Sequence, residues 1–404
     1  MAGHVKGKRS AVTCALKCAN ACTSGVCNTS QNGYFRDIVQ AQVSRRTALG
    51  LGLAGVVTVA AGSLALGRGG AAVAATPGGP FAAAVPSALT FAPIEPVPYT
   101  VDAFTVPEGF SWQPIIRWGD PLFADSAEFD IANQTAAAQA GQFGYNNDYT
   151  DIVELPGTER LRALLFVNHE YTNETIMFSE AELATDAARV RAVGRAAHGL
   201  SVVELEREAV DRPWSYVRGG EHNRRFLIDT PYEVTGPAAG SALLQTSADP
   251  TGRTVLGTLG NCAGGTTPWG TILSGEENFN GYFRATGTSA EEKRYGLAPA
   301  ATAREWELDD PRFDARTAGF ENEVNRFGWI VEVDPFDPAS TPRKHTAMGR
   351  LKHEGANVIV APGGKVVAYM GDDERFDYLY KFVSQKSYIE GDRAHNLTIL
   401  EEGD

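Results

Sequence analysis

Cys262 is the residue on which chemistry can be built in this chain of 404 residues. It stands in Gly260–Asn278, GNCAGGTTPWGTILSGEEN, where the short apolar run Thr271–Leu273 leads to Glu276 and Glu277. The glycines allow the backbone to approach another group closely. The other cysteines, Cys14, Cys18, Cys22 and Cys27, all lie near the start of the chain. A thiolate and a carboxylate carried to the same end of a sheet suit a transition metal such as iron or zinc. The plainer reading is a buried thiol in a glycine-rich turn with solvated glutamates beside it.

The same grammar, a strand ending in acidic residues, recurs along the chain. Glu170 follows Leu164–Val167, Glu276 and Glu277 follow Thr271–Leu273, Glu354 lies in Lys352–Asn357, and Asp372 and Asp373 follow Val366–Met370. Asp148 and Asp151 extend the group. Any one such turn is ordinary, because Asp and Asn are common turn residues. Several converging on one channel would repel unless cations neutralised them, and oxygen-only ligand sets suit Ca²⁺. His169 and His353 each precede one of these glutamates. They read as orienting neighbours more readily than as direct ligands.

The elements that must position these groups are short and β-rich. Apolar runs fall at Trp112–Trp118, Ala163–Val167, Ser201–Leu205, Gly328–Val333, Val358–Val360, Val366–Met370 and Tyr378–Val383. Pro362-Gly363-Gly364 separates two of them closely enough to require a hairpin. Repeated hairpins that end in functional turns predict an all-β fold, with a propeller as the closure, although no clean repeat period is present. Two insertions interrupt the pattern. Ser179–His198 is alanine-rich with helical spacing and predicts a surface helix. Arg284–Arg326 is charged and predicts an excursion or lid over one face. Leu397–Leu400 reads as a strand with no closing segment after it, so an incomplete propeller is expected over residues 76–404.

Residues 1–75 read as a leader. Ser44-Arg45-Arg46-Thr47-Ala48-Leu49 is a twin-arginine pattern, followed by a mildly apolar run to Gly67 and small residues at Ala72-Val73-Ala74. That is a Tat-type export signal, cleaved rather than kept as an anchor, with the Tat translocase as its partner and a periplasmic or secreted destination. In an exported chain, an unpaired thiol is usually kept for metal binding or chemistry. The four leader cysteines are expected to leave with the signal. The whole chain carries 36 Lys/Arg and 49 Asp/Glu; the leader holds eight basic residues and one acidic, which leaves 28 against 48 and a net charge of −20. Such a surface disfavours nucleic acid and anionic membranes.

Several of these stretches together carry a resemblance. NCAGGTTPWGTILSGEEN, FVNHEY, WIVEVDPFDP (Trp329–Pro338), KHEGANV and YMGDDERFDYLYKFVS are similar to the PhoX-type alkaline phosphatases over nearly all of Phe104–Asp404, and the twin-arginine leader is also a habit of that family. The resemblance implies a six-bladed propeller with a central site of iron (Fe³⁺) and Ca²⁺ that hydrolyses phosphomonoesters outside the cytoplasm. It makes Cys262 an iron ligand, Glu277 and Glu354 metal ligands and Asp373 a calcium ligand, with Glu170 in the same channel. Cys262, Glu277 and Glu354 thereby become the catalytic residues, while Glu276, Asp372 and Asp148 carry over more weakly. The family's later Arg-Pro-Glu turn has no counterpart after Glu354.

The reaction is consistent with such a site. Phosphoryl transfer passes through a loose transition state with charge on the outer oxygens, which clustered cations stabilise, and an oxygen held by iron or calcium would take the place of a serine nucleophile. Lys352 and Arg375 flank the acidic turns as candidate phosphate contacts, or simply balance charge. The competing readings are a calcium-dependent propeller lactonase, which has no need of Cys262, and an exported calcium-binding scaffold without catalysis. Iron found together with calcium would favour the phosphatase.

Overall fold

The computed structural model describes residues 91–98, 100–101 and 103–404; the twin-arginine pattern, the apolar run after it and the four leader cysteines lie outside the described residues. The chain divides into two units, Met1–Trp112 and Gln113–Asp404. The described part of the first is irregular, with ring contacts between Phe91 and Phe110 and between Phe104 and Trp112. The second holds every strand among the described residues.

Those strands form three sheets, with no closed barrel. The first sheet is antiparallel, with β1 (Asn147–Glu154), β2 (Arg162–His169), β3 (Gly199–Glu206) and β4 (Ser215–Tyr216) in order and β5 (Arg224–Phe226) also paired to β3. The second joins β6 (Pro231–Thr235), β7 (Thr254–Leu256), β8 (Asn261–Thr266), β9 (Ile272–Glu276), β10 (Ile330–Val333) and β11 (Arg343–His345) in the order β7-β6-β11-β10-β9-β8. Only its β6–β11 pair is parallel. The third is the meander β12 (Asn357–Val360), β13 (Lys365–Gly371) and β14 (Leu379–Ser387).

Side-chain alternation explains how the sheets stack. Successive residues of a strand face opposite sides, so a strand covered on both faces is apolar throughout. In β2, Leu164 and Phe166 enter one core with Ile272, Val331 and Val333 of the second sheet. Ala163, Leu165 and Val167 of the same strand enter another core on the outer face. Leu273 and Ile330, on the other face of the second sheet, pack with Val366, Ala368 and Phe382 of the third. One apolar layer thus separates the first sheet from the second, and another the second from the third.

Four sequence expectations change. Residues 112–118 form no strand; the Trp118 indole N–H instead donates to Gln139 Oε1 at 2.7 Å. Leu397–Leu400 is not a strand but follows a helical turn (Arg393–Asn396) and leads into a 3₁₀ turn (Ile399–Glu401). Ile399 and Leu400 are adjacent and both fully buried in the same core, which a strand's alternation would forbid. The insertion at 179–198 is two helices, α1 (Glu180–Thr185) and α2 (Ala187–Ala197), capped by Ser179 and Asp186. The charged excursion does not merely cover a face. Its Tyr295, Leu297, Trp306, Phe313 and Val324 are buried with Phe279, Tyr282 and Phe327 in a core of their own.

Candidate metal centre

The site is assembled where the ends of three sheets meet. Asp148 is the second residue of β1, Glu170 follows β2, Cys262 lies in β8, Glu277 follows β9, and Glu354 precedes β12. Ligand atoms of Asp148, Glu170 and Cys262 lie within 4.8 Å of one another, and so do those of Cys262, Glu277 and Glu354. Cys262 is the member common to both groups.

Local backbone features make this convergence possible. The β8–β9 ladder shifts register between Asn261 and Gly264, and a bulge of this kind re-aims a side chain, here that of Cys262. The Asn168 side-chain amide donates to the Cys262 carbonyl, and Ser274 Oγ donates to Asn168 Oδ1 at 3.0 Å, which ties β2, β8 and β9 together. A Cβ on Gly265 would collide with the Ala356 carbonyl, and one on Gly275 with the carbonyl of His353. Glycine at these two positions lets the segment carrying Glu354 lie against β8 and β9. The Glu170, Glu277 and Glu354 amides donate to the carbonyls of Asn146, Gly260 and Gly371 at 3.0, 3.0 and 3.1 Å, fixing each turn.

The electrostatics are those of crowded anions. Glu170 is pushed up to about 7, first by burial and then by Asp148 and Glu354. Glu277 is pushed up to about 8 by burial, by its hydrogen bond with Asp373 and by Glu354. Burial and the same four carboxylates (Glu170, Asp148, Glu354 and Glu277) push the Cys262 thiol up, and Cys262 Sγ lies 3.3 Å from Asp148 Oδ2. Like charges this close favour protonation, whereas a bound cation inverts the balance and favours the anions. One sulfur amid carboxylate oxygens fits a transition metal at Cys262, and the surrounding oxygens fit a hard cation.

The other candidates separate by geometry. Asp373 stays with the group through Glu277, and its amide donates to the Lys352 carbonyl at 3.0 Å. Asp372 lies apart, its carboxylate 3.3 Å from Arg294 and accepting from the Lys352 amide at 3.3 Å. Glu276 is not brought to the cluster. It is fully buried, accepts from Lys344 Nζ at 2.7 Å and Thr258 Oγ1 at 2.9 Å, and takes the Gly328 and Trp329 amides on its other oxygen. Its neighbour Glu277 faces the cluster, as expected where one residue lies in a strand and the next has left it. Lys352 Nζ is paired with the Glu374 carboxylate, while exposed Arg375 donates its backbone amide to Glu374 Oε1 at 2.9 Å.

The two histidines are interior. His169 Nδ1 lies 3.1 Å from Asn147 Oδ1, beside Asp148, and its Nε2 lies 2.6 Å from Ser201 Oγ. His353 Nε2 meets the Gly349 carbonyl at 2.9 Å, and burial holds this imidazole down to about 4. Arg304 is a residue the sequence reading missed. It comes from the charged excursion and lines a cavity of about 380 Å³ together with Glu170, Thr172, Glu174 and Tyr282. Nothing in its local sequence sets it apart from the other arginines there.

A family model described as alkaline phosphatase PhoX matches residues 89–404. Among solved structures, Pseudomonas fluorescens PhoX in complex with vanadate, a transition state analogue, is 43% identical with a TM-score of 0.69. That similarity covers 74% of this chain and 51% of that one, so the chain spans about half the length of its relative. No curated protein matches the chain.

Proposed function

The chain belongs to the PhoX alkaline phosphatase family, and from that premise we propose that the whole protein hydrolyses phosphomonoesters to inorganic phosphate at the cluster around Cys262. The observation that carries this reading is the convergence of Asp148, Glu170, Glu277 and Glu354 on one thiol from three separate sheets. Such a donor set has a use when it holds cations, and a costly repulsion otherwise.

The cations of this reading are iron, held by Cys262, and calcium, held by the carboxylates. When bound they supply the positive charge that stabilises the outer phosphoryl oxygens in a loose transition state. The chain's own residues do the positioning. Cys262, Glu277 and Glu354 form the inner group, Asp148 and Glu170 close it from the first sheet, and Asp373 holds Glu277 through its hydrogen bond. The finer architecture is a six-bladed propeller, and the face-to-face stacking of the three sheets supports it. Export by the Tat route to the periplasm or outside the cell is supported by Ser44–Leu49.

The test is p-nitrophenyl phosphate hydrolysis by the full-length protein, with elemental analysis, before and after calcium removal. Expected are iron and calcium in the active protein and loss of turnover on chelation. Full turnover in a metal-free preparation would sink the reading.

A further inference from the structure

We propose that Arg304 is a substrate-binding residue of this site, donating to the phosphoryl oxygens of the ester from the cavity beside Glu170. The inference rests on the phosphatase reading. Its motive is a charge problem: a phosphate ester is an anion, and the cluster it must approach is built from carboxylates and a thiol. The adjoining cavity, about 380 Å³, is bordered by Glu170 of that cluster, and Arg304 is the one cation among its described lining residues.

Arg304 is held in place yet remains available. Its Nη1 donates to Thr172 Oγ1 at 3.1 Å, and its guanidinium carbon lies 4.8 Å from the centre of the Tyr282 ring. Tyr282 is itself fixed, with its hydroxyl 3.0 Å from His198 Nε2. Glu174 stands 3.7 Å from Arg304 Nη1, beyond hydrogen-bond reach, and its Oε1 already accepts from Thr172 Oγ1 at 2.6 Å. Nε and Nη2 of Arg304 donate to no group among the described residues.

Neighbouring cations are committed more tightly. Arg191 makes two 2.8 Å hydrogen bonds to Asp309, Arg195 makes one at 2.9 Å, and Lys352 is paired with Glu374. A planar guanidinium already fixed on a ring and a hydroxyl, with two nitrogens to spare, loses little freedom on gripping a phosphoryl group. The cavity also exceeds a bare phosphate in size, so the alcohol part of the ester has room beside Tyr282.

The experiment uses full-length protein carrying Arg304→Gln or Arg304→Lys, with inorganic phosphate as the probe. Phosphate affinity is measured by calorimetry on the metal-loaded proteins, alongside KM and kcat for p-nitrophenyl phosphate. Arg304→Gln is expected to weaken phosphate binding about tenfold or more and to raise KM in step, with Arg304→Lys recovering part of the loss. Metal content and melting temperature should stay near wild type. Phosphate affinity equal to wild type in a folded, metal-loaded Arg304→Gln protein would overturn the assignment. A wild-type protein that binds phosphate but turns over no ester would instead count against the phosphatase reading, and the calorimetry would still decide the role of Arg304.

Discussion

At Cys262, one sulfur is shared between two groups of carboxylates, so its loss should be felt by both. Cys262→Ala removes a small side chain from a bulged strand edge, at a stability cost within about 3 kcal/mol. It should abolish iron binding and phosphatase turnover while leaving the fold intact; elemental analysis and circular dichroism of the full-length variant check this, and normal iron with normal turnover would refute it. Glu276 behaves differently, because it is paired with Lys344 where neither side chain sees solvent. Lys344→Met strands a buried carboxylate and should cost about 3–5 kcal/mol in denaturant unfolding. Adding Glu276→Gln to that variant should recover much of the loss. If the double variant is no more stable than Lys344→Met alone, the pair is not the source of the penalty. By residue type the adjacent glutamates read alike, and the family resemblance alone set Glu277 above Glu276. In the structure the strand's end separates them, turning Glu277 toward the cluster and leaving Glu276 inside.

At the level of elements, what could be read in advance was local, and what could not was long-range. The hairpin of β12 and β13 was visible because Pro362-Gly363-Gly364 leaves a single way to connect two apolar runs, and the two strands pair from Asn357–Tyr369 to Val360–Val366. The approach of residues 353–356 to β8 and β9 had no such local sign, because it depends on glycines about 80 to 90 residues earlier in the chain. Ile399 and Leu400 misled because a four-residue stretch, three of its residues apolar, carries no period long enough to separate strand from turn. The same close approach yields a test. Gly265→Ala places a methyl against the Ala356 carbonyl, which backbone cannot yield cheaply, and should cost about 1–3 kcal/mol. More tellingly, it should displace Glu354 and lower calcium affinity and turnover by tenfold or more, read by calcium titration. Unchanged affinity would mean that Glu354 reaches its place without that contact.

For the molecule as a whole, cation binding and pH should be coupled. Without cations Glu170 and Glu277 sit near 7 and 8, above their ordinary value of 4.5, so the folded state holds protons that the unfolded state has released. Their contribution is therefore present in full below about pH 4.5, and is lost as pH rises through 7 and 8. Bound cations reverse this by favouring the ionised carboxylates. Chelation should thus lower the melting temperature more at pH 9 than at pH 5, measured by scanning calorimetry in excess chelator. An equal drop at both values would mean that the carboxylates do not bear the cations' stabilisation. The acidic surface, net −13 over the full sequence, adds general repulsion but no such dependence on a specific ion.

The distribution of donors also bears on the order in which the chain becomes itself. Asp148 and Glu354 stand about 200 residues apart, and each sheet end supplies only part of the set. A nascent chain can pair β1 with β2 early, since that hairpin is local, but it cannot offer a complete cage until the segment before β12 has been synthesised and docked. Ion capture is then a late event in biogenesis, a signature that the sheets have found one another, and an ion added to a partly made chain should leave its folding rate almost unaltered.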